Sequence, residues 1–408
     1  MIALRAAQRL PIFKALLSRD YRWFWLGRLA ASATMQMSGV AQGWLVYQLT
    51  GSGFALGWVG AFGSLSTLLV SPFSGVMSDR LERRHILAAT RLGMIANVAT
   101  ITFLVLTGRI QVWHLAASGL LGGALMAFMM PAQNALMADL VDRSTLLNAV
   151  SLTAVGMGLM GIFGASSAGL MIDGIGVWSV YGLITLLYIV ALYTVLKLPL
   201  TGLHRSQTRS IGRDIVSGMT YILHDPRLLG IIGFSLARVL LAMPYGILLP
   251  QYADEIMGLG ASGLGLLASA SGIGALIAAL GVAALGDFKS KGKLLLLSGV
   301  LMAIGLLALS FTRSLPIAFL LLTMVGMGNN AAMVANQTLV QVYCDDQYRG
   351  RVMSTYMMMW GLTPLGTVPA GALADRFGVP AVFAGQGALL ILIFAVIWWR
   401  AKSLRTLE

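Results

Sequence analysis

The chain has 408 residues, of which 58% are hydrophobic and only 11% charged, with a mean hydropathy of +0.83. Soluble globular chains carry about one quarter charged residues, so an ordinary soluble enzyme is excluded. The formal charge of +13 does not point to nucleic acid, because the Lys and Arg fall in short clusters between long apolar runs, the pattern of a polytopic membrane protein.

A membrane-crossing helix needs roughly 20 mostly apolar residues. The sequence predicts twelve, at about 24–49, 54–77, 85–107, 112–136, 146–171, 177–197, 228–250, 261–285, 293–311, 315–341, 350–373 and 379–399. The expected fold class is an all-α polytopic membrane protein with two pseudo-symmetric six-helix bundles. Residues 1–198 form the first bundle and 228–408 the second. Residues 199–227 form a central loop, where Ile211, Ile215, Val216, Met219 and Ile222 recur at helical spacing. That pattern predicts a short helix lying on the membrane surface.

Of the 28 Lys and Arg, 23 fall on one side of this arrangement. Arg109, Arg313 and Arg376 fall on the other, and Arg28 and Arg238 lie within spans. This bias predicts a multi-pass protein of the inner (cytoplasmic) membrane with both termini in the cytoplasm. Arg91 is counted with the loop after the second span. The N-terminal tail is basic but lacks a short apolar core with a small-residue cleavage site, so it is not read as a cleavable signal.

In chain order, the first span carries Arg28, Gln36 and Gln42; the two glutamines are six apart and are not expected to share one helix face. The next loop reads GVMSDRLERRHIL over 75–87. Gly75 allows close helix approach, and Asp79 can accept hydrogen bonds from a neighbouring helix N-terminus or from Arg83 or Arg84. The fifth span repeats in the eleventh. Residues 164–180 align without gaps on 366–382, matching at Gly164, Ala168, Gly169, Asp173, Gly176, Val177 and Val180. Parallel repeats of this kind place a substrate path between the halves.

In the seventh span Arg238 lies near the bilayer midplane, where an unpaired charge is costly, so it is expected to face a cavity and contact substrate. Pro244 should loosen that helix, and Tyr245 follows it. The tenth span carries Asn329, Asn330 and Asn336. All fifteen Asp and Glu lie in loops, tails or helix ends, with Asp173, Asp254, Glu255 and Asp375 at the outer mouth. Buried cations without an embedded carboxylate suit an anionic or neutral substrate. The substrate-contacting set is therefore Arg28, Gln36, Arg238, Tyr245, Asn329, Asn330 and Asn336.

The 75–87 loop resembles the signature loop of the major facilitator superfamily, with Gly75, Asp79, Arg80, Arg83 and Arg84 on the matching positions, Met77 in place of Leu and Glu82 in place of Gly. The resemblance covers essentially the whole chain. It implies that this cluster latches the halves in the outward-open state. Residues 135–152 and 348–366 resemble the branch holding the enterobactin exporter and macrolide efflux pumps. The exporter pattern of the fifth span is only partly present, as Gly164-Ala165 and Ala168-Gly169 without the proline, which leaves antiport open.

The expected function is secondary active transport by alternating access, exporting a bulky amphipathic or anionic organic compound such as a drug or siderophore. The alternative is an importer of a small organic anion or metabolite. A sensor or membrane enzyme is the reading from another class; an enzyme would need converging His, Asp or Cys, which the one cysteine and four scattered histidines do not supply. The expected partners are a small-molecule substrate and the lipid bilayer, with protons as a candidate coupling ion. Neither nucleic acid, metal nor other cofactor is expected, and the protein is expected to be a monomer.

Overall fold

The computed structural model describes residues 11–200, 211–285 and 290–400, with the side chains of some residues inside its helices outside the description. Twelve long helical passes follow one another along the described residues. The first six are Arg19–Thr50, Gly53–Arg80, Arg83–Leu106, Val112–Asp139, Arg143–Gly174 and Val177–Leu196. The seventh is Pro226–Ile256. The eighth to tenth are Ala261–Leu285, Lys291–Leu309 and Leu315–Tyr343, the eleventh spans 346–377 and the twelfth is Val379–Arg400.

Ten of these are long and apolar enough to cross a membrane by composition alone. The exceptions have physical causes. The first pass carries Gln36 and Gln42 in its middle, and the eleventh is broken by a 3₁₀ turn at Met359–Leu362. Local chemistry sets the ends. Ser18 caps the first pass by accepting from the Tyr21 N–H at 3.3 Å, and Ser52 caps the second by accepting from the Ala55 N–H at 3.2 Å. Gly176 (φ +113°) and Gly378 (φ +82°) make the turns that leave the fifth and eleventh passes. They are repeat mates, and both hold a backbone conformation that disfavours a side chain.

Within the first six passes, the first packs on the fifth and sixth, the second on the fourth, and the third on the fourth and sixth. Within the last six, the eighth and ninth pack on the tenth and the ninth on the twelfth. The two sets meet through the second pass on the eleventh and the fifth on the eighth. Small residues permit this closeness: a Cβ on Gly274 of the eighth pass would lie 1.9 Å from the Thr323 carbonyl of the tenth.

The seventh pass is irregular. Residues Arg238–Ala242 form a π-turn, closed by the Met243 N–H on the Arg238 carbonyl at 3.1 Å. Pro244, which cannot donate, follows at once, so the loosening expected there is present. The helix predicted in the central loop spans Ile211–His224. It docks on the start of the eleventh pass: Tyr221 stacks on Tyr348 with ring centroids 4.4 Å apart, and a Cβ on Gly218 would meet the Arg351 carbonyl at 2.9 Å. Of its apolar residues Ile222 is buried against the protein, whereas Met219 and Leu223 are exposed.

Candidate functional site

The bundle has two ends. The turn end carries Gly51, Gly176, Gly258 and Gly378; the signature end carries Arg83 and Arg84. The first six and last six passes are joined at the turn end, and the repeat supplies the joints. Asp375 of the eleventh pass accepts from the N–H groups of Gly53 (2.5 Å) and Phe54 (3.0 Å) and from the Ser52 hydroxyl (2.6 Å). These groups open the second pass. Asp173 of the fifth pass accepts from the N–H groups of Ala261 (3.0 Å) and Ser262 (2.8 Å), which open the eighth.

Each carboxylate therefore caps a helix N-terminus of the opposite half, where unsatisfied N–H groups and the helix dipole favour an anion. One turn earlier each repeat places a glycine. A Cβ on Gly371 would lie 2.1 Å from the Gly53 carbonyl, and one on Gly169 2.3 Å from the Ala261 carbonyl. A third joint runs from the Tyr47 hydroxyl of the first pass to Glu255 of the seventh, at 2.8 Å. Gln251 also donates to that carboxylate at 3.0 Å. Close contacts between the second and eleventh passes continue to Leu68 and Gly361, and those between the fifth and eighth to Gly158 and Leu276.

Between the halves lies a cavity of about 420 Å³ bordered by the first, second, fifth, seventh and eighth passes. A second cavity, about 440 Å³, lies among the first six passes. Met35, Gly39, Gln42, Val59 and Gly60 border both, so the first and second passes are their shared wall. Gln36 and Tyr245 line the first cavity, with the Tyr245 hydroxyl 3.2 Å from the Ser271 Oγ. Gln42 lines it too, although the two glutamines leave the first pass on different sides, Gln36 beside Gly161 and Gly164 of the fifth pass and Gln42 near Gly119 of the fourth. Arg28 lines the second cavity and donates to Gln133 at 3.1 Å, with Met157 Sδ at 3.9 Å.

Arg238 does not face either cavity in this conformation. It is 1% exposed, donates to Asn329 at 2.6 Å and stacks over the Trp360 ring at 5.4 Å. An amide and an indole partner it in place of the carboxylate that the spans lack, and its Nε is left without a hydrogen-bond partner. Asn336 is also interhelical, donating to the Ile231 carbonyl at 3.0 Å. Asn329 is taken up by Arg238. Asn330 borders neither cavity, and its Oδ1 is buried without a hydrogen-bond partner.

In the signature loop, the side chains of Gly75, Asp79 and Arg80 lie outside the described residues. Arg83 pairs with Asp139 at the end of the fourth pass. Arg84 donates to the carbonyls of Leu196 and Leu198, both at 2.8 Å, at the end of the sixth. Both arginines thus bind within the first half here and do not bridge to the second.

Sequence reasoning missed Arg91. It lies two turns inside the third pass, 1% exposed, with its guanidinium over the Tyr188 ring at 5.7 Å. Its spacing to Met94 and Val98, three and seven residues on, was the available signal.

A family model described as transmembrane secretion effector matches residues 12–408. The multidrug efflux pump Tap of Mycolicibacterium fortuitum is 26% identical, covering 90% of this chain and 92% of that protein. The staphyloferrin A transporter of Staphylococcus aureus is 23% identical over 89% and 91%, and the multidrug resistance protein MdtG of Salmonella typhi 26% over 86% of each. Among solved structures, the nucleoside transporter NupG superposes with TM-score 0.77 at 12% identity, covering 93% of this chain and all of that one. The human organic anion transporter MFSD10 gives 0.68 at 17% identity, over 93% and 99%. At these identities the structural matches establish the fold.

Proposed function

The chain belongs to the transmembrane secretion effector family of the major facilitator superfamily, multi-pass membrane transporters and not enzymes, and from that premise we propose that it exports bulky amphipathic or anionic organic compounds by alternating access. The observation that carries this reading is the asymmetry of the joint between halves. One end is held by three carboxylates that cross it, Asp173, Asp375 and Glu255, and a chain of cavities lies between and beside the halves. The signature end carries most of the Lys and Arg and is therefore the cytoplasmic end in the bacterial inner membrane. The conformation is then inward-facing, closed at the outer side. The reverse state needs the three joints to part and the signature loop to engage the second half, with Asp79 free to cap a helix across it.

The outward direction is supported by relatives named for multidrug efflux and multidrug resistance. Protons are the coupling ion in this reading, and the working unit is a single chain. Counterflow of labelled compounds in proteoliposomes, chosen from a growth-inhibition panel of cells with and without the protein, tests it. Substrate-dependent counterflow and raised resistance are expected. Absence of both across anionic, neutral and cationic amphipathic compounds would sink it.

A further inference from the structure

The interior of the first half holds two guanidinium groups and no carboxylate to balance them. Among the described residues the one ion pair is Arg83 with Asp139, at the helix ends. Arg28 is bound only by the amide of Gln133 and the sulfur of Met157. Arg91 is almost wholly buried, and its Nε and Nη1 have no hydrogen-bond partner. Its one neighbour of note is Tyr188, whose ring lies beneath the guanidinium and which itself lines the cavity that Arg28 lines. Arg91 shares a helix face with Met94 and Val98, two further residues of that lining.

A pair of like charges, desolvated and short of acceptors, is unfavourable alone and favourable once an anion bridges it. One stretch of the lining is apolar and soft, with Met35, Met94, Met126, Met129, Met130 and Met157 bordering the space, while Gln42, Thr67 and Asn97 are among its polar residues. Thioether side chains adapt to varied apolar shapes.

We infer that Arg28 and Arg91 form an anion subsite inside the first half, taking the acidic group (carboxylate, sulfonate or phosphate) of an amphipathic ligand whose apolar body lies along the methionine wall. Arg91 does not itself line the cavity; Tyr188, beneath its guanidinium, does, so the Arg91 donors reach the ligand once that ring moves aside. The site is off the axis between the halves, so ligand rests against one half while the other moves. This inference rests on the proposed transport of anionic or amphipathic compounds and adds where the charge is held.

Equilibrium dialysis of the whole protein in phosphatidylcholine nanodiscs tests it, with radiolabelled naphthalene-1-carboxylate, naphthalene-1-sulfonate and 1-naphthyl phosphate against 1-naphthylmethylammonium. Saturable binding of the anions is expected, with the cation bound at least about tenfold more weakly. Arg28→Gln and Arg91→Gln should each weaken anion binding about tenfold or more, while Arg238→Gln leaves it unchanged. The bound anion should also raise the melting temperature of the wild-type protein and not that of Arg28→Gln, a readout that does not need the Arg91 variant to fold.

Equal binding of the cation, anion binding that survives in the Arg28→Gln/Arg91→Gln double variant, or no saturable binding of any of the three anions would overturn the subsite. Competitive loss of binding when phosphatidylglycerol is added to the nanodiscs would assign the site to a lipid headgroup instead and overturn the soluble ligand. None of these measurements involves transport. Failed binding with intact counterflow removes only this subsite, and intact binding without counterflow removes only the transport reading.

Discussion

The two halves bury arginine differently. In the second half Arg238 sits in a π-turn, gives a hydrogen bond to Asn329 and covers Trp360. Three passes are tied together by one side chain, and it borders neither cavity. In the first half Arg28 opens on a cavity, and Arg91, which like Arg238 borders neither cavity, leaves two donors unpartnered where Arg238 leaves one. Both halves lack an embedded carboxylate, so the difference is not one of counter-ion. It lies in how far the local helices supply acceptors. Arg238 has an amide acceptor and one donor left over, whereas Arg91 has two donors left over and a ring beneath it, so the difference is one of degree.

The contrast breaks most readily at Arg238. Arg238→Ala should destabilise the fold by about 2–4 kcal/mol, through lost packing and an unpaired Asn329. Transport should fall only in proportion to folded protein, measured by fluorescence-detected melting beside counterflow. A stable but inactive variant would return Arg238 to the substrate path, where sequence reasoning placed it.

Arg91→Met should act with the opposite sign. Removing a desolvated, under-partnered charge for an apolar chain of similar length should leave stability unchanged or raise it by about 1–3 kcal/mol, with ligand binding lost. If Arg91→Met melts as far below wild type as Arg238→Ala does, the two arginines are equivalent and the contrast fails.

Smaller effects separate the ends of the molecule. Asp173→Asn and Asp375→Asn each keep the size of the cap but lose its charge, weakening the turn-end joint by about 1–2 kcal/mol. The repeat predicts equal effects from the two, seen as increased labelling by an impermeant maleimide of a cysteine introduced at the turn end (Thr107→Cys or Arg313→Cys, with Cys344→Ser). Strongly unequal effects would mean that one cap alone closes the end. Tyr47→Phe removes the donor to Glu255 and should produce the smallest shift in the same assay, about 1 kcal/mol.

The passes themselves were legible, because apolar length and turn residues are local signals: predicted and observed boundaries agree within a few residues except where the seventh pass runs on to Ile256. The Asp173 and Asp375 repeat was legible as a pattern, and both residues were placed at the outer mouth. Their partners were not, since nothing local in the sequence says that the fifth pass meets the start of the eighth. Arg91 was lost because a charge near a helix start reads as a loop charge. Arg238 was misread because its partners, Asn329 and Trp360, come from distant passes and are not ionic. Distant neutral partners are the kind of information that periodicity and charge counting do not hold.

The central claim is that the end closed by Asp173 and Asp375 opens during the cycle. Spin labels at Thr107→Cys and Arg313→Cys, with Cys344→Ser, place one probe at that end of each half, and double electron–electron resonance reads the distance between them in nanodiscs. The account predicts one short distribution for the otherwise wild-type protein and a second, longer population in the Asp173→Asn/Asp375→Asn double variant. A single unchanged distribution in both proteins would contradict it.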